Sequence, residues 1–195
     1  MAIIVRKENP PKFKSYKRYK PYLRKDFNYS CAYCSIHEGE YGSFHNFACE
    51  HFKPKSKIEF RHLKNDYGNL LYSCQTCNRL KSDMWPSDTL TKEGYFFLNP
   101  CEFDYDGHFE MNNNNFEIIP KSKAATYMIE KIHLNRQQLI QLRKMRFLEK
   151  KIDEKFHNLS KLSNSDTKRK IENLHKTFQD FNEIKYNPLS EEDMK

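Results

Sequence analysis

"ACEHFKPKSKIEFRHLKNDYGNLLYSCQTCNRLKSD", residues 48–83, carries the pair Cys74-x-x-Cys77 near its end, and "CAYC" ahead of it supplies Cys31-x-x-Cys34. Thiolates favour tetrahedral Zn²⁺, and a two-residue gap lets a turn aim both sulfurs at one ion. Together the pairs make the ligand set of one closed structural zinc site: Cys31, Cys34, Cys74 and Cys77. Such pairs usually stand roughly 15–20 residues apart. Here 39 residues intervene between Cys34 and Cys74, so the zinc closes a loop large enough to hold something else. Four unrelated buried thiols would leave the matched spacing unexplained. Cys49 and Cys101 have no near cysteine partner and are read as apolar filler.

The stretch also has the pattern of a hairpin followed by a helix. "NFACEHF" is short and apolar enough for a strand. "NLLYSC" reads as a second strand after the turn signal "NDYGN", and "CNRLKSDMW" opens a helix at the second cysteine pair. On that helix Asn78, Lys81 and Ser82 stand three and four apart and share a face, which would aim Lys81 along the same cleft as Asn78. Neighbouring strand residues point to opposite faces. Glu50 and His51 can therefore converge on one site only if the backbone turns irregular at His51 to Pro54.

In the order "CAYC", "EHFKPKS", "YGNLLYSC" and "CQTCNRLKSD", Cys31 to about Asp83 resembles the HNH endonuclease family, whose site is a ββα-metal hairpin and helix. The resemblance extends to "FLNPCEFDYDGHF" and "IHLNRQQLIQLR", which carry no obvious chemistry. It implies a phosphodiester hydrolase of the His-Asn-Asn type, acting on nucleic acid and most simply on DNA, with one divalent ion. His51 is then the general base, since an imidazole with an ordinary pKa near 6.5 can accept a proton at neutral pH. Glu50 and Asn78 supply carboxylate and amide oxygens to Mg²⁺ or Mn²⁺, hard ions that prefer oxygen and keep waters. The family often has Asp where Glu50 stands, one methylene shorter. Asn69 matches the family's middle Asn, assigned to fixing the hairpin and orienting the imidazole. Read from local sequence alone, Asn69 can equally be a turn residue after Gly68, and Asn78 a helix cap. The resemblance also implies cleavage to 5′-phosphate and 3′-hydroxyl ends. Small relatives occur in bacterial restriction and phage-defence settings, sometimes beside an ATPase partner.

The charge pattern fits a polyanion substrate. The 195 residues carry 34 Lys/Arg against 26 Asp/Glu, a formal +8. Residues 1–30 hold nine bases and two acids (+7), residues 31–90 seven of each, residues 91–120 one base and six acids, and residues 121–195 seventeen bases and eleven acids (+6). Lys53, Lys55 and Lys57 follow His51 at single-residue gaps and would line one side if extended. Lys81, Arg79, Lys17 and Arg18 complete the expected nucleic-acid contacts. "KFKSYKRYKPYLRKDF", residues 12–27, interleaves bases with aromatics, which suits backbone contact and stacking. A helix packing Tyr19, Leu23 and Phe27 onto the zinc module reads equally well. The bland alternative is a solvated Lys-rich surface.

No run of 18 apolar residues exists, and "MAIIVRK" is too short for a signal peptide, so a cytoplasmic chain without membrane contact is expected. Three segments follow: a basic aromatic stretch, 1–30; the nuclease domain, 31–120; and a helical extension, 121–195. Residues 94–120 suggest a small hairpin or an extended cover. In the extension, Leu142, Met145, Leu148, Ile152, Phe156 and Leu159 form one apolar stripe, and Ile171, Leu174, Phe178 and Phe181 a second, with "SNSD" between them. Two striped helices suggest an antiparallel pair packed on the nuclease module or on a partner, with a homodimer also open. The fold class is therefore α+β: a ββα-metal HNH nuclease core, a structural four-cysteine zinc site and a helical C-terminal extension. The rival reading is a non-catalytic zinc-knuckle module that binds nucleic acid, for which Glu50, His51 and Asn78 would have no purpose.

Overall fold

The computed structural model describes residues 3–6, 11–162 and 165–186. The loop closed by the cysteine pairs contains an antiparallel hairpin, β1 (Phe47–His51) and β2 (Leu70–Cys74), in a register that sets Phe47 opposite Cys74, Glu50 opposite Leu71 and His51 opposite Leu70. Aromatic and branched side chains suit a pleated surface covered on its faces, and every residue of β2 is buried. The Phe47 and Tyr72 rings stack with centroids 4.7 Å apart. β2 passes directly into α2 (Gln75–Lys81), with Cys74 as the extended residue at its N-terminus. The result is a ββα unit, as expected from the sequence.

Between β1 and β2 the chain leaves strand geometry straight after His51 and stays irregular through residues 52–57; the irregularity expected from His51 to Pro54 thus begins one residue later, with His51 itself still in the strand. A short 3₁₀ stretch, Ile58–Leu63, follows. A second 3₁₀ turn, Tyr67–Asn69, is capped by Asp66, whose side chain accepts from the Gly68 N–H at 3.0 Å. It returns the chain to β2.

Other elements pack around this hairpin. A 3₁₀ turn, Tyr16–Tyr19, leads into α1 (Lys20–Asp26), with Pro21 in its first turn. Tyr19, Leu23 and Phe27 are buried, so this segment packs onto the core as one of its two readings anticipated. The buried pair Arg24–Glu38 joins α1 to the cysteine loop, and Tyr72 donates to Glu38 Oε2 at 2.9 Å. Then come α3 (Asp88–Lys92) and a small hairpin of β3 (Phe109–Met111) and β4 (Ile118–Pro120). Next, α4 (Lys123–Ile132) has an N-cap, Ser122, that accepts from the Ala125 N–H. Buried apolar side chains from Tyr19 to Leu142 form one cluster.

Two long helices complete the chain, α5 (Gln137–Leu162) and α6 (Ser165–Tyr186), and they pack against each other. The break between them, residues 163–164, lies outside the described residues. The apolar stripe of α5 divides by position. Leu139 and Leu142 are buried on the core, whereas Met145, Leu148, Ile152 and Leu159 remain 40–50% exposed. Phe156 reaches across to Phe178 and stacks on His175. Among the described residues, no helix is long and apolar enough to cross a membrane.

Candidate functional site

The four cysteines of the two x-x pairs come together: their Sγ atoms all lie within 4.8 Å of one another, and none is in a disulfide. Zn–S bonds of about 2.3 Å in a tetrahedron require sulfurs about 3.8 Å apart; Cys34 Sγ and Cys74 Sγ are 3.8 Å apart. The donor set therefore fits zinc, and a closed set of four sulfurs is the arrangement of a structural ion. It ties the turn at residues 31–34 to the β2–α2 junction, which fixes where α2 begins.

β1 also borders a cavity of about 640 Å³. Glu50 and His51 from the end of β1 and Asn78 from α2 all line it, with Lys55, Arg79, Lys17, Lys20 and Tyr16 around them. His51 is 7% exposed. Its Nε2 is 2.9 Å from the Lys64 carbonyl oxygen. A carbonyl only accepts, so neutral His51 carries its proton on Nε2 and keeps the Nδ1 lone pair. The Tyr16 ring stands edge-on to the imidazole, with centroids 4.6 Å apart. Burial holds His51 below the ordinary imidazole range, and the charges of Lys55, Lys81 and Lys64 act the same way, while the Lys64 carbonyl bond opposes them.

Glu50 is buried beside the imidazole. Lys81 Nζ lies 2.7 Å from Glu50 Oε1, and the Tyr33 hydroxyl donates to the same oxygen at 3.4 Å. Among the described residues Oε2 accepts no hydrogen bond, and the carboxylate lines the cavity. Burial pushes Glu50 above the usual carboxylate range and Lys81 pulls it back. A one-carboxylate, one-amide set of oxygens, Glu50 and Asn78, fits a hard divalent ion that keeps waters.

Several side chains sit elsewhere than the spacing implied. Lys81 does not face a phosphate. It is fully buried, pairs with Glu50, and donates to the His51 carbonyl at 3.1 Å. The α2 face three and four residues from Asn78 splits, because Ser82 meets the cavity while Lys81 turns into the core under β1. Lys53, Lys55 and Lys57 do not form a strip, since the chain there is irregular. Lys55 lines the cavity, Lys53 Nζ lies over the Phe60 ring, and Lys57 precedes the Ile58–Leu63 stretch. Arg18 stacks its guanidinium on Phe13, while its neighbour Lys17 lines the cavity. Asn69 bonds the chain at Lys53 rather than the imidazole, with its Oδ1 accepting from the Lys53 N–H at 2.8 Å and its Nδ2 donating to the Lys53 carbonyl at 3.0 Å. It thus braces the loop whose other end presents the Lys64 carbonyl to His51.

Two participants had no counterpart in the sequence reading, Tyr33 and the Lys64 carbonyl, while Tyr16 and Lys20 belong to the basic aromatic stretch 12–27 without having been singled out for this cavity. Lys20 carried a further signal in its three-residue spacing from Lys17 on a helical turn.

Residues 31–84, which contain both cysteine pairs and the Glu50, His51, Asn69 and Asn78 positions, match the family described as HNH endonuclease. The chain carries an HNH endonuclease domain. Its relatives include two proteins of Bacillus mycoides (strain KBAB4). Septu protein PtuA is 27% identical over 144 residues, covering 63% of this chain and 20% of that protein. Septu protein PtuB is 30% identical over 158 residues, covering 67% of this chain and 52% of that protein. The chain thus spans about half the length of one relative and a fifth of the other. In both cases the likeness extends well beyond the length of the HNH domain.

Proposed function

We propose that the chain is a metal-dependent HNH endonuclease that hydrolyses phosphodiester bonds of nucleic acid, with duplex DNA as its substrate. One observation carries this reading: Glu50, His51 and Asn78 line a single cavity rimmed by Lys17, Lys20, Lys55 and Arg79. Glu50, through Oε2, and Asn78, through its amide oxygen, would hold Mg²⁺ or Mn²⁺, which when bound polarises the phosphate as a Lewis acid. His51 Nδ1 takes the proton from the attacking water, and the Lys64 carbonyl keeps the ring in the tautomer that leaves Nδ1 free. Lys17, Lys20, Lys55 and Arg79 hold the phosphates on either side of the cut. Asn69 is a positioning residue, because it acts through the Lys53 backbone. Zinc on Cys31, Cys34, Cys74 and Cys77 holds the frame and takes no part in the chemistry.

The products are a 5′-phosphate and a 3′-hydroxyl. The likeness to two proteins sharing the Septu name supports a role of the same kind. The bacterial defence setting, with a protein partner, belongs to this proposal.

Plasmid nicking with Mg²⁺ tests it, comparing wild type with His51→Ala on duplex DNA, single-stranded DNA and RNA. Nicking of the duplex by wild type alone is expected. If both proteins bind DNA and neither cuts any substrate with Mg²⁺ or Mn²⁺, alone or with a partner, the chain is a non-catalytic zinc-knuckle binding module.

A further inference from the structure

The four sulfurs meet a fifth group that lies outside the matched HNH segment. Arg136 stands in the turn between α4 and α5, 102 residues after Cys34. Its Nη2 donates to Cys34 Sγ at 3.7 Å and to Cys77 Sγ at 3.5 Å, one sulfur from each cysteine pair. The guanidinium is held from behind, since Nη1 lies 3.4 Å from both the Ile132 and the His133 carbonyl oxygens at the end of α4. His133 adopts the left-handed conformation (φ 49°) that ends α4, and the Arg136 N–H bonds back to the His133 carbonyl at 3.0 Å. The turn thus fixes both the backbone and the plane of the side chain.

Four thiolates around one Zn²⁺ leave a net charge of about −2 in a buried site. Cys31, Cys74 and Cys77 are buried, so solvent does little to offset that charge. A guanidinium cannot give up its proton and carries donors in a fixed plane. We infer that Arg136 is an outer-sphere partner of the tetrathiolate zinc, offsetting part of its charge through paired N–H···S bonds and so tying zinc retention to the seating of the α4–α5 turn on the nuclease domain. The inference rests on reading the four sulfurs as a zinc site, but not on any catalytic role.

Arg143 separates this role from simple packing. It anchors the same turn by donating to the Phe116 carbonyl at 3.0 Å and to the Leu134 carbonyl. It also donates to Asn135 Oδ1 at 3.3 Å, and none of these acceptors is a sulfur.

The experiment is zinc competition. The full chain is loaded with zinc and titrated with a chelator of known affinity, with a metal indicator as readout, for wild type, Arg136→Met, Arg136→Gln, Arg136→Lys and Arg143→Met. Loss of an outer-shell partner typically weakens metal affinity about 10–100-fold. Arg136→Met and Arg136→Gln should fall in that range, Arg136→Lys should recover part of the loss, and Arg143→Met, which loosens the turn but removes no N–H···S bond, should lose clearly less than Arg136→Met. With Co²⁺ in place of zinc, the thiolate-to-metal charge-transfer band should move to lower energy in Arg136→Met, because the sulfurs lose their hydrogen-bond donors. If Arg136→Met does not fold, the Gln and Lys variants decide the matter: Lys tighter than Gln supports the inference, and Gln equal to or tighter than Lys overturns it. Wild-type affinity in Arg136→Met, or an equal loss in Arg143→Met, overturns it as well. A wild-type chain that takes up no zinc overturns both this inference and the zinc reading beneath it.

Discussion

Replacing Lys81 by methionine removes the counter-charge of a carboxylate that the cavity keeps nearly dry. The Lys81 and Glu50 side chains are 0% and 4% exposed, with Nζ and Oε1 2.7 Å apart. Methionine keeps most of the stem and its contacts, so the packing loss is small. What remains is a buried carboxylate with the Tyr33 hydroxyl alone, and removing one partner of such a pair costs about 3–5 kcal/mol. The His51 carbonyl also loses its donor; that loss is part of the same figure. Folded domains are stable by roughly 5–15 kcal/mol, so Lys81→Met should fold and unfold early. The assay is urea unfolding of the zinc-loaded chain without added magnesium, read as the shift in midpoint at constant slope. Adding Glu50→Gln removes the stranded charge, and the double variant should recover at least about 2 kcal/mol; the Glu50→Gln single variant closes the cycle that gives the coupling of the pair.

The pH dependence follows from the same residue. Burial raises Glu50 in the fold, and Lys81 is the largest influence opposing that. Without Lys81 the folded value rises further above the unfolded one, near 4.3. A group whose folded pKa is raised binds a proton on folding. Its penalty is therefore absent below the unfolded pKa and grows as pH rises through the folded pKa. The Lys81→Met deficit should be larger at pH 8 than at pH 5. A deficit under about 1 kcal/mol at pH 8 would be too small for a broken buried pair. That outcome, or a deficit independent of pH with no recovery from Glu50→Gln, refutes the reasoning.

Other outcomes can be checked in parallel. His51→Ala should lower the nicking rate about 10²–10⁴-fold, as expected for loss of a general base, while DNA retention in gel shift stays near wild type. Because burial and the neighbouring lysines depress His51, the acid limb of the pH–rate profile should lie below pH 6.5, and Lys55→Ala should move it upward toward the ordinary imidazole range. Asn69→Ala strands the Lys53 N–H and carbonyl. It should cost about 1–3 kcal/mol in urea unfolding and slow nicking by loosening the loop that presents Lys64 to the imidazole. Alanine at Lys17, Lys20, Lys55 or Arg79 should each flatten the plot of log affinity against log salt by about 0.9. Arg18→Ala, whose guanidinium lies on Phe13, should leave that slope unchanged.

Much of the frame could be read along the chain because its signals are short-range. Two x-x cysteine pairs imply a shared ion whatever else the chain does, and the sulfurs do meet. Apolar runs around a Gly-Asn turn imply a hairpin, and β1 and β2 do pair antiparallel. Period-3.6 stripes imply the long helices, and α5 and α6 do pack on each other, though much of both stripes stays exposed. The resemblance of this stretch to the HNH endonuclease family, rather than the adjacency of Glu50 and His51, nominated Glu50, His51 and Asn78, and all three line the cavity.

Which way each charged side chain faces could not be read in that manner. Lys81 and Ser82 have the same helical relation to Asn78, yet one is a buried ion-pair partner and the other meets the cavity. Lys53 and Lys55 have the same alternation after His51, yet only Lys55 lines the cavity, because residues 52–57 are not a strand. The imidazole takes its tautomer from a main-chain oxygen at Lys64, and any residue type could supply that oxygen. Tyr16 reaches His51 from 35 positions away in the chain, and Arg136 reaches Cys34 across 102. Local spacing determines which element a segment forms and which residues can share an ion. The packing of one element on another determines which polar groups lose their water, and those groups take as partners whatever donors and acceptors the fold has left within reach.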